Sequence, residues 1–271
     1  MMSAGVIGWP IAHSKSPLIH RFWLAKLGLN GDYGRFAVAP ERLGDAIRAL
    51  PALGLRGVNV TVPHKVAALA YIDRADGWVQ DTGALNCLLV ERSGDISGCN
   101  TDVLALIDIF QPFAHADLPT VLIGAGGAAR AALVGLMQHG QGPLTLMNRS
   151  RLNAEHVLAA TSAGGMIVQL DAPLPDDAKL IINASLLGMS GQPPLVIDLA
   201  RVPDDAIVFD MVYAPLETPL LAAARARGLR TIDGLSMLIG QAAAAFELFF
   251  GTPAPREHDA ELRVLLVRTS P

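Results

Sequence analysis

The chain has 271 residues, 51% of them hydrophobic and 17% charged, which supplies a substantial core and excludes a disordered chain. A formal net charge of −4 argues against nucleic acid or an anionic membrane surface as the principal partner, since both attract basic proteins. Two cysteines, Cys87 and Cys99, with no CxxC spacing and no cysteine–histidine cluster, exclude a disulfide framework and a zinc site and fit a reduced, cytoplasmic setting.

The first residues lack the basic and long apolar regions of a signal peptide, and residues 5–11 read instead as a strand. Residues 12–16 form a polar turn, with Ser16 expected as N-cap and Pro17 as first residue of a helix reaching about Leu27. A second strand is expected over 33–38, and an amphipathic helix over 41–50 with Leu43, Ile47 and Leu50 on one face. In the strand 57–62, Asn59 and Thr61 interrupt an apolar run on one face, and polar groups buried in that way need partners. Pro63-His64-Lys65 follows and is expected to begin a helix at the strand's C-terminal end, where open α/β sheets bind ligands. Asn59, Thr61 and Lys65 are thereby placed to converge on one small polar molecule, although a solvated first-turn lysine is the blander reading of Lys65.

Strands over 84–90 and 96–101 joined by Arg92-Ser93-Gly94-Asp95 give a hairpin, with Asn86 inside the first and Asn100-Thr101-Asp102 closing the second. A connecting helix is expected over 103–118, with a break at His115 to Pro119. Val121-Leu-Ile-Gly-Ala-Gly-Gly-Ala-Ala-Arg-Ala131 then reads as strand, tight turn and helix start, and Gly124, Gly126 and Ala129 fit the dinucleotide fingerprint with alanine in its third place. The backbone of Gly124, Ala125, Gly126, Gly127 and Ala128 would face the phosphates. The following strand, 144–150, ends in Asn148-Arg149-Ser150 without the acid that binds a ribose 2′-hydroxyl in NAD-binding folds. A guanidinium suits a 2′-phosphate, so NADP is the expected cofactor; the alternative is that Arg149 and Arg151 are solvated positions at a helix start.

Helices over 153–160 and 219–227 and strands over 166–170, 179–184, 207–212 and 229–232 continue the alternation of a helix-covered parallel sheet. An alanine-rich helix is expected over 234–250 with Gln241 in its apolar middle, and a short helix over 261–267. Glycines, Pro143 and polar residues interrupt apolar runs such as 131–148, so no membrane segment is expected.

Taken together, Gly8-Trp-Pro-Ile-Ala-His-Ser-Lys-Ser-Pro17, Gly57-Val-Asn-Val-Thr-Val-Pro-His-Lys65, Gly98-Cys-Asn-Thr-Asp102, the glycine turn with Asn148-Arg149-Ser150, Asp210-Met-Val-Tyr213 and Gly234-Leu-Ser-Met-Leu-Ile-Gly-Gln241 resemble the signatures of the shikimate dehydrogenase family, along nearly the whole chain. The resemblance implies an α/β protein with an N-terminal substrate domain (1–102 and 235–271), to which the C-terminal helix returns, and an inserted Rossmann-like NADP-binding domain (103–234) across a cleft. It implies that Ser14 and Ser16 bind a substrate carboxylate, that Asn59, Thr61, Asn86, Asp102, Tyr213 and Gln241 surround ring hydroxyls, and that Met211 and Gly234 approach the nicotinamide. Lys65 would be the acid/base residue paired with Asp102, and homodimerisation is left open. The chemistry is coherent: reduction of a ketone builds charge on oxygen, and a lysine, ordinarily protonated at neutral pH, can supply the proton without a metal.

The chain departs from the family pattern at Cys87, where threonine is common, at Val103, where glycine is common, and at Ser185-Leu186, where Thr-Ser is usual. The implied activity is reversible, NADP-dependent reduction of 3-dehydroshikimate to shikimate. The alternatives are a quinate/shikimate dehydrogenase or paralogue acting on another hydroxylated ring acid, and a catalytically weak cofactor-sensing protein.

Overall fold

A computed structural model describes residues 2–114, 117–140 and 142–268. The chain divides into two units, one made of the chain up to Ala105 together with the chain from Ile239, the other of Leu106–Leu238.

In the first unit, β1 (Met2–Gly8), α1 (Ser16–Lys26), β2 (Gly31–Ala37), α2 (Leu43–Ala49) and β3 (Leu55–Val60) alternate, and both β2 and β3 pair in parallel with β1. After β3 come a short edge strand, β4 (Arg74–Ala75), α3 (Gly77–Thr82), the hairpin β5 (Cys87–Val90) and β6 (Ile96–Cys99), and α4 (Thr101–Phe110). β5 runs antiparallel to both β3 and β6, giving a mixed sheet in the order β2-β1-β3-β5-β6-β4. Ile7, Ile47, Val58, Leu85 and Leu88 belong to its buried apolar cluster.

The second unit is built from β7 (Thr120–Ile123), α5 (Gly127–Met137), β8 (Leu144–Met147), α6 (Arg151–Thr161), β9 (Met166–Val168), β10 (Leu180–Asn183), β11 (Ile207–Asp210), α7 (Pro219–Ala226) and β12 (Arg230–Ile232). All of its strands are parallel, in the order β12-β11-β10-β7-β8-β9. The strand order reverses between β7 and β10, which is the doubly wound, Rossmann-like arrangement with its ligand crevice outside the strand ends at that switch point. α8 (Gly234–Phe250) begins in this unit and ends in the first, and α9 (Asp259–Arg268) follows. In the first unit Phe246 meets Trp23 edge-on at 5.6 Å between ring centroids, and His20 lies fully buried among these rings, stacked on Tyr33 at 3.9 Å and 4°.

Three expectations need correction. Ser16 is the first residue of α1 rather than its N-cap: Lys15 occupies the cap position in a helical conformation without a side-chain cap bond, and the Ser14 hydroxyl takes the Ser16 N–H at 3.3 Å instead. Lys65 does not open a helix. It sits in a turn containing the cis Val62–Pro63 bond, followed by a 3-10 helix over Ala67–Tyr71. Non-local partners claim this turn, since the Lys65 carbonyl accepts from Leu85 N at 2.9 Å and a His64 ring nitrogen lies 2.7 Å from the Val38 carbonyl. The connecting helix starts at Thr101 and stops at Phe110, before a 3-10 turn carrying Pro112; His115 of the expected break lies outside the described residues, as do the last three residues of the expected C-terminal return.

Candidate active site

Within the first unit, Lys65, Asp102, Asn86 and Asn59 meet where β3 and the hairpin end. Lys65 Nζ donates to Asp102 Oδ2, with the lysine side chain 18% exposed and the aspartate 5%. The second carboxylate oxygen accepts from Asn86 Nδ2 at 2.8 Å. Asn86, which the sequence places inside a strand, lies just before β5 and is fixed in turn: its Oδ1 accepts the backbone N–H of Thr101 at 2.7 Å, which satisfies one of the free amides at the start of α4. Asp102 lies in the first turn of that helix, where the helix dipole favours a negative charge. The pair is therefore an ammonium with a route to solvent, held by a carboxylate whose other oxygen is already engaged.

Asn59 joins the same group, donating through Nδ2 to the Asn86 carbonyl at 3.1 Å and accepting the Tyr33 hydroxyl at 2.7 Å. Thr61 follows β3 directly, half-buried, with its N–H on the Ile7 carbonyl. Ser14 and Ser16 are both buried, with their hydroxyl oxygens 3.3 Å apart, and Arg35 clamps the turn by donating to the Ser14 carbonyl at 2.9 and 2.6 Å. Gln241 is half-buried on α8. Neither Tyr33 nor Arg35 was among the expected site residues. Nothing local distinguishes them, because their partners lie on other strands or turns.

In the second unit, Gly124, Ala125 and Gly126 form the turn from β7 into α5, and Gly127 and Ala128 begin that helix, whose first N–H groups have no intrahelical partner. Gly124 has φ +109° and lies so close to the end of β10 that an added Cβ would stand 2.9 Å from Ser185 N, so only glycine fits this turn. A Cβ added at Gly126 would meet nothing within 4 Å. The helix start thus offers donors beside open space, which fits a pyrophosphate. Asn148 donates to the Ser150 carbonyl at 2.8 Å, and the Ser150 hydroxyl caps α6 by accepting Asn153 N at 3.2 Å. Arg151 pairs with Glu155 on the helix surface at 2.9 Å, whereas Arg149 is exposed at the turn.

A buried polar network absent from the sequence reading closes the adjacent strand ends. Asn183 and Asp210 are register partners on β10 and β11, joined by Asn183 Nδ2 to Asp210 Oδ1 at 2.9 Å. Asp210 also accepts Val212 N at 3.0 Å and the Thr218 hydroxyl at 2.6 Å, while Asn183 Oδ1 accepts the Ser185 N–H and hydroxyl at 3.0 and 2.7 Å. Burial pushes the Asp210 carboxyl above the ordinary aspartate value, against the lowering effect of these bonds. The network ties down the loops carrying Leu186, which is exposed, and Met211 to Tyr213. Gly234 lies against the second loop, where a Cβ would stand 2.5 Å from the carbonyl oxygens of Met211 and Val212. The signal was present as a polar residue ending each of two apolar strands, Leu-Ile-Ile-Asn183 and Ile-Val-Phe-Asp210.

Known proteins resemble the chain along nearly its whole length. Residues 6–88 match the family described as "Shikimate dehydrogenase substrate binding domain" and residues 234–261 that described as "Shikimate 5'-dehydrogenase C-terminal domain". The chain is 52% identical over 270 residues to the shikimate dehydrogenase (NADP(+)) of Sphingopyxis alaskensis, covering 97% of this chain and 96% of that one. Among solved structures, a shikimate dehydrogenase in complex with NADP+ is 33% identical with a TM-score of 0.89, covering 100% of this chain and 96% of that one. Shikimate 5-dehydrogenase from Thermus thermophilus in complex with NADP(H) and shikimate is 32% identical with a TM-score of 0.85, covering 98% and 100%.

Proposed function

Because the chain belongs to the shikimate dehydrogenase family, we propose that it catalyses the reversible, NADP-dependent reduction of 3-dehydroshikimate to shikimate. The observation that carries this reading is the Lys65–Asp102 pair with Asn86 on its second oxygen: a cation aimed by a fixed carboxylate at the end of a strand bearing other polar groups.

Each residue then has a task. Lys65 gives a proton to the carbonyl oxygen as charge builds there, and in the reverse direction takes it from the hydroxyl. Asp102 keeps the ammonium aimed. Ser14 and Ser16 bind the carboxylate, and Asn59, Thr61, Asn86, Asp102, Tyr213 and Gln241 sort the ring hydroxyls, donors and acceptors matched to groups that both donate and accept. In the second unit, Gly124, Ala125, Gly126, Gly127 and Ala128 hold the pyrophosphate of NADP. Asn148, Arg149 and Ser150 hold its adenosine end, with the Arg149 guanidinium on the 2′-phosphate. Met211 and Gly234 border the nicotinamide, which when bound supplies or accepts the hydride. We assign residues 1–102 and 235–271 to substrate binding and 103–234 to the cofactor. No helix among the described residues is long and apolar enough to cross a membrane. The two free cysteines support a cytoplasmic setting.

The test is a spectrophotometric assay of the purified protein with shikimate and with quinate, each against NADP+ and NAD+. Turnover of shikimate with NADP+ well above the other three combinations is expected. No turnover of shikimate with NADP+ would overturn the reading, and a preference for quinate would move it to the paralogue.

A further inference from the structure

Tyr33 lies on β2, fully buried, and its hydroxyl stands between two groups that the proposed function gives to the substrate. It donates to Asn59 Oδ1 at 2.7 Å and takes a hydrogen bond from the Ser16 side chain, while Ser16 Oγ accepts from Ser14 Oγ at 3.3 Å. Beyond Asn59 the bonds continue through the Asn86 carbonyl at 3.1 Å, and the Asn86 side chain holds Asp102 and thereby Lys65. One hydrogen-bonded line therefore joins the two serines to the lysine–aspartate pair, and Tyr33 is the member that links the serines to Asn59.

We propose that Tyr33 is a positioning residue for substrate recognition, its hydroxyl holding the Asn59 amide in the one orientation that leaves a free N–H for a substrate hydroxyl. An asparagine amide has two N–H groups and two lone pairs on its oxygen. Here one lone pair takes the Tyr33 hydroxyl and one N–H goes to the Asn86 carbonyl, so both ends of the amide are pinned and one N–H and one lone pair remain. A hydroxyl, which donates and accepts, matches that remainder. The Tyr33 ring is itself held by its stack on His20, a histidine that burial keeps neutral, with its pKa lowered to about 3. Burial also pushes the Tyr33 phenol well above its ordinary value, so it stays a donor. This assignment rests on the proposed reaction for its substrate, but not for the geometry of the amide.

Tyr33→Phe keeps the ring stack and removes the hydroxyl. The expected result is a KM for shikimate raised about three- to tenfold, the worth of one hydrogen bond, with turnover lowered less than about twofold and the KM for NADP+ unchanged. In an Asn59→Ala background the same substitution should add nothing further; an effect that simply adds, or an unchanged KM in the single variant, overturns the proposal. A second measurement needs no substrate: the Asn59 side-chain amide, identified by the resonance pair lost in Asn59→Ala, is followed by NMR in the ligand-free protein. Tyr33→Phe should lower its order, and unchanged order overturns the positioning role. If the unmodified protein fails to oxidise shikimate, the proposed function falls while the amide measurement still decides the role of Tyr33.

Discussion

Each unit joins an asparagine to an aspartate beside its strand ends, and the two pairs use the carboxylate in opposite ways. Asp102 gives one oxygen to Asn86 and the other to Lys65, a cation partly open to water. Asp210, completely buried, gives its oxygens to Asn183, the Val212 N–H and the Thr218 hydroxyl, all neutral. With a cation beside it the carboxylate aims a group that can move a proton. With neutral donors around it, it braces two loops and is pushed up in pKa by its burial. Residue type alone does not separate these roles; the partner and its route to solvent do.

The difference is broken most severely at Lys65. Lys65→Ala should lower turnover by about 10² to 10⁴, or about 3 to 5 kcal/mol of barrier, with the KM for shikimate changed only a few-fold; retention of more than about a tenth of the turnover in an assay limited by chemistry would make Lys65 a binding residue. Asp102→Asn comes next, with turnover down at least about tenfold and substrate affinity also reduced, because it removes the charge that aims the ammonium while keeping the shape. A variant that changes neither constant would place Asp102 with Asp210 as a brace. In the second unit Arg149→Ala should raise the KM for NADPH about tenfold and leave that for NADH nearly unchanged, and equal losses for both would deny Arg149 the 2′-phosphate.

Asp210→Asn should have the smallest effect. An amide can accept from Asn183 and Val212 through its oxygen and donate to Thr218, so turnover should stay within about twofold and stability within about 1 kcal/mol near neutral pH. The pH dependence is the sharper readout. The folded-state pKa of Asp210 lies above the ordinary 3.8, so between that value and the raised one the folded protein holds a proton that the unfolded chain has lost, and its stability falls as pH rises. Asp210→Asn should remove this contribution, leaving the parent at its best relative to the variant in acid. A difference in melting temperature that is flat with pH, or of opposite slope, would contradict it.

Much of this arrangement could be read along the chain, wherever it depends on neighbours in sequence. The apolar run into Gly124-Ala-Gly126 and the alanine-rich stretch 234–250 both became the expected elements, because turn geometry and helix propensity are local. α3 escaped notice although Asp76, whose carboxylate accepts Val79 N at 2.7 Å, and Gly83, left-handed at the other end, mark both its limits; it is too short to show an apolar period. Lys65 was placed on a helix because the bonds that hold its turn come from Leu85 and Val38, outside any local window. The Asn183–Asp210 pair depends on the register of two strands separated by a long connection, and Tyr33 on three segments meeting at once. The polar ends of β10 and β11 are legible as such, but their pairing, like the contacts of Tyr33, is a product of the tertiary fold.

The ring cluster around His20 has a consequence outside catalysis. Packing that keeps water from this imidazole also keeps protons from it: both ring nitrogens are buried without a hydrogen-bond partner, and its pKa falls from 6.5 to about 3. Between those values the unfolded chain binds a proton that the folded one refuses, so stability is lost as pH falls through that window. At this one residue the proton therefore acts as a ligand selective for the unfolded chain, and His20→Phe should flatten the acid limb of the stability curve whatever it does to stability at neutral pH.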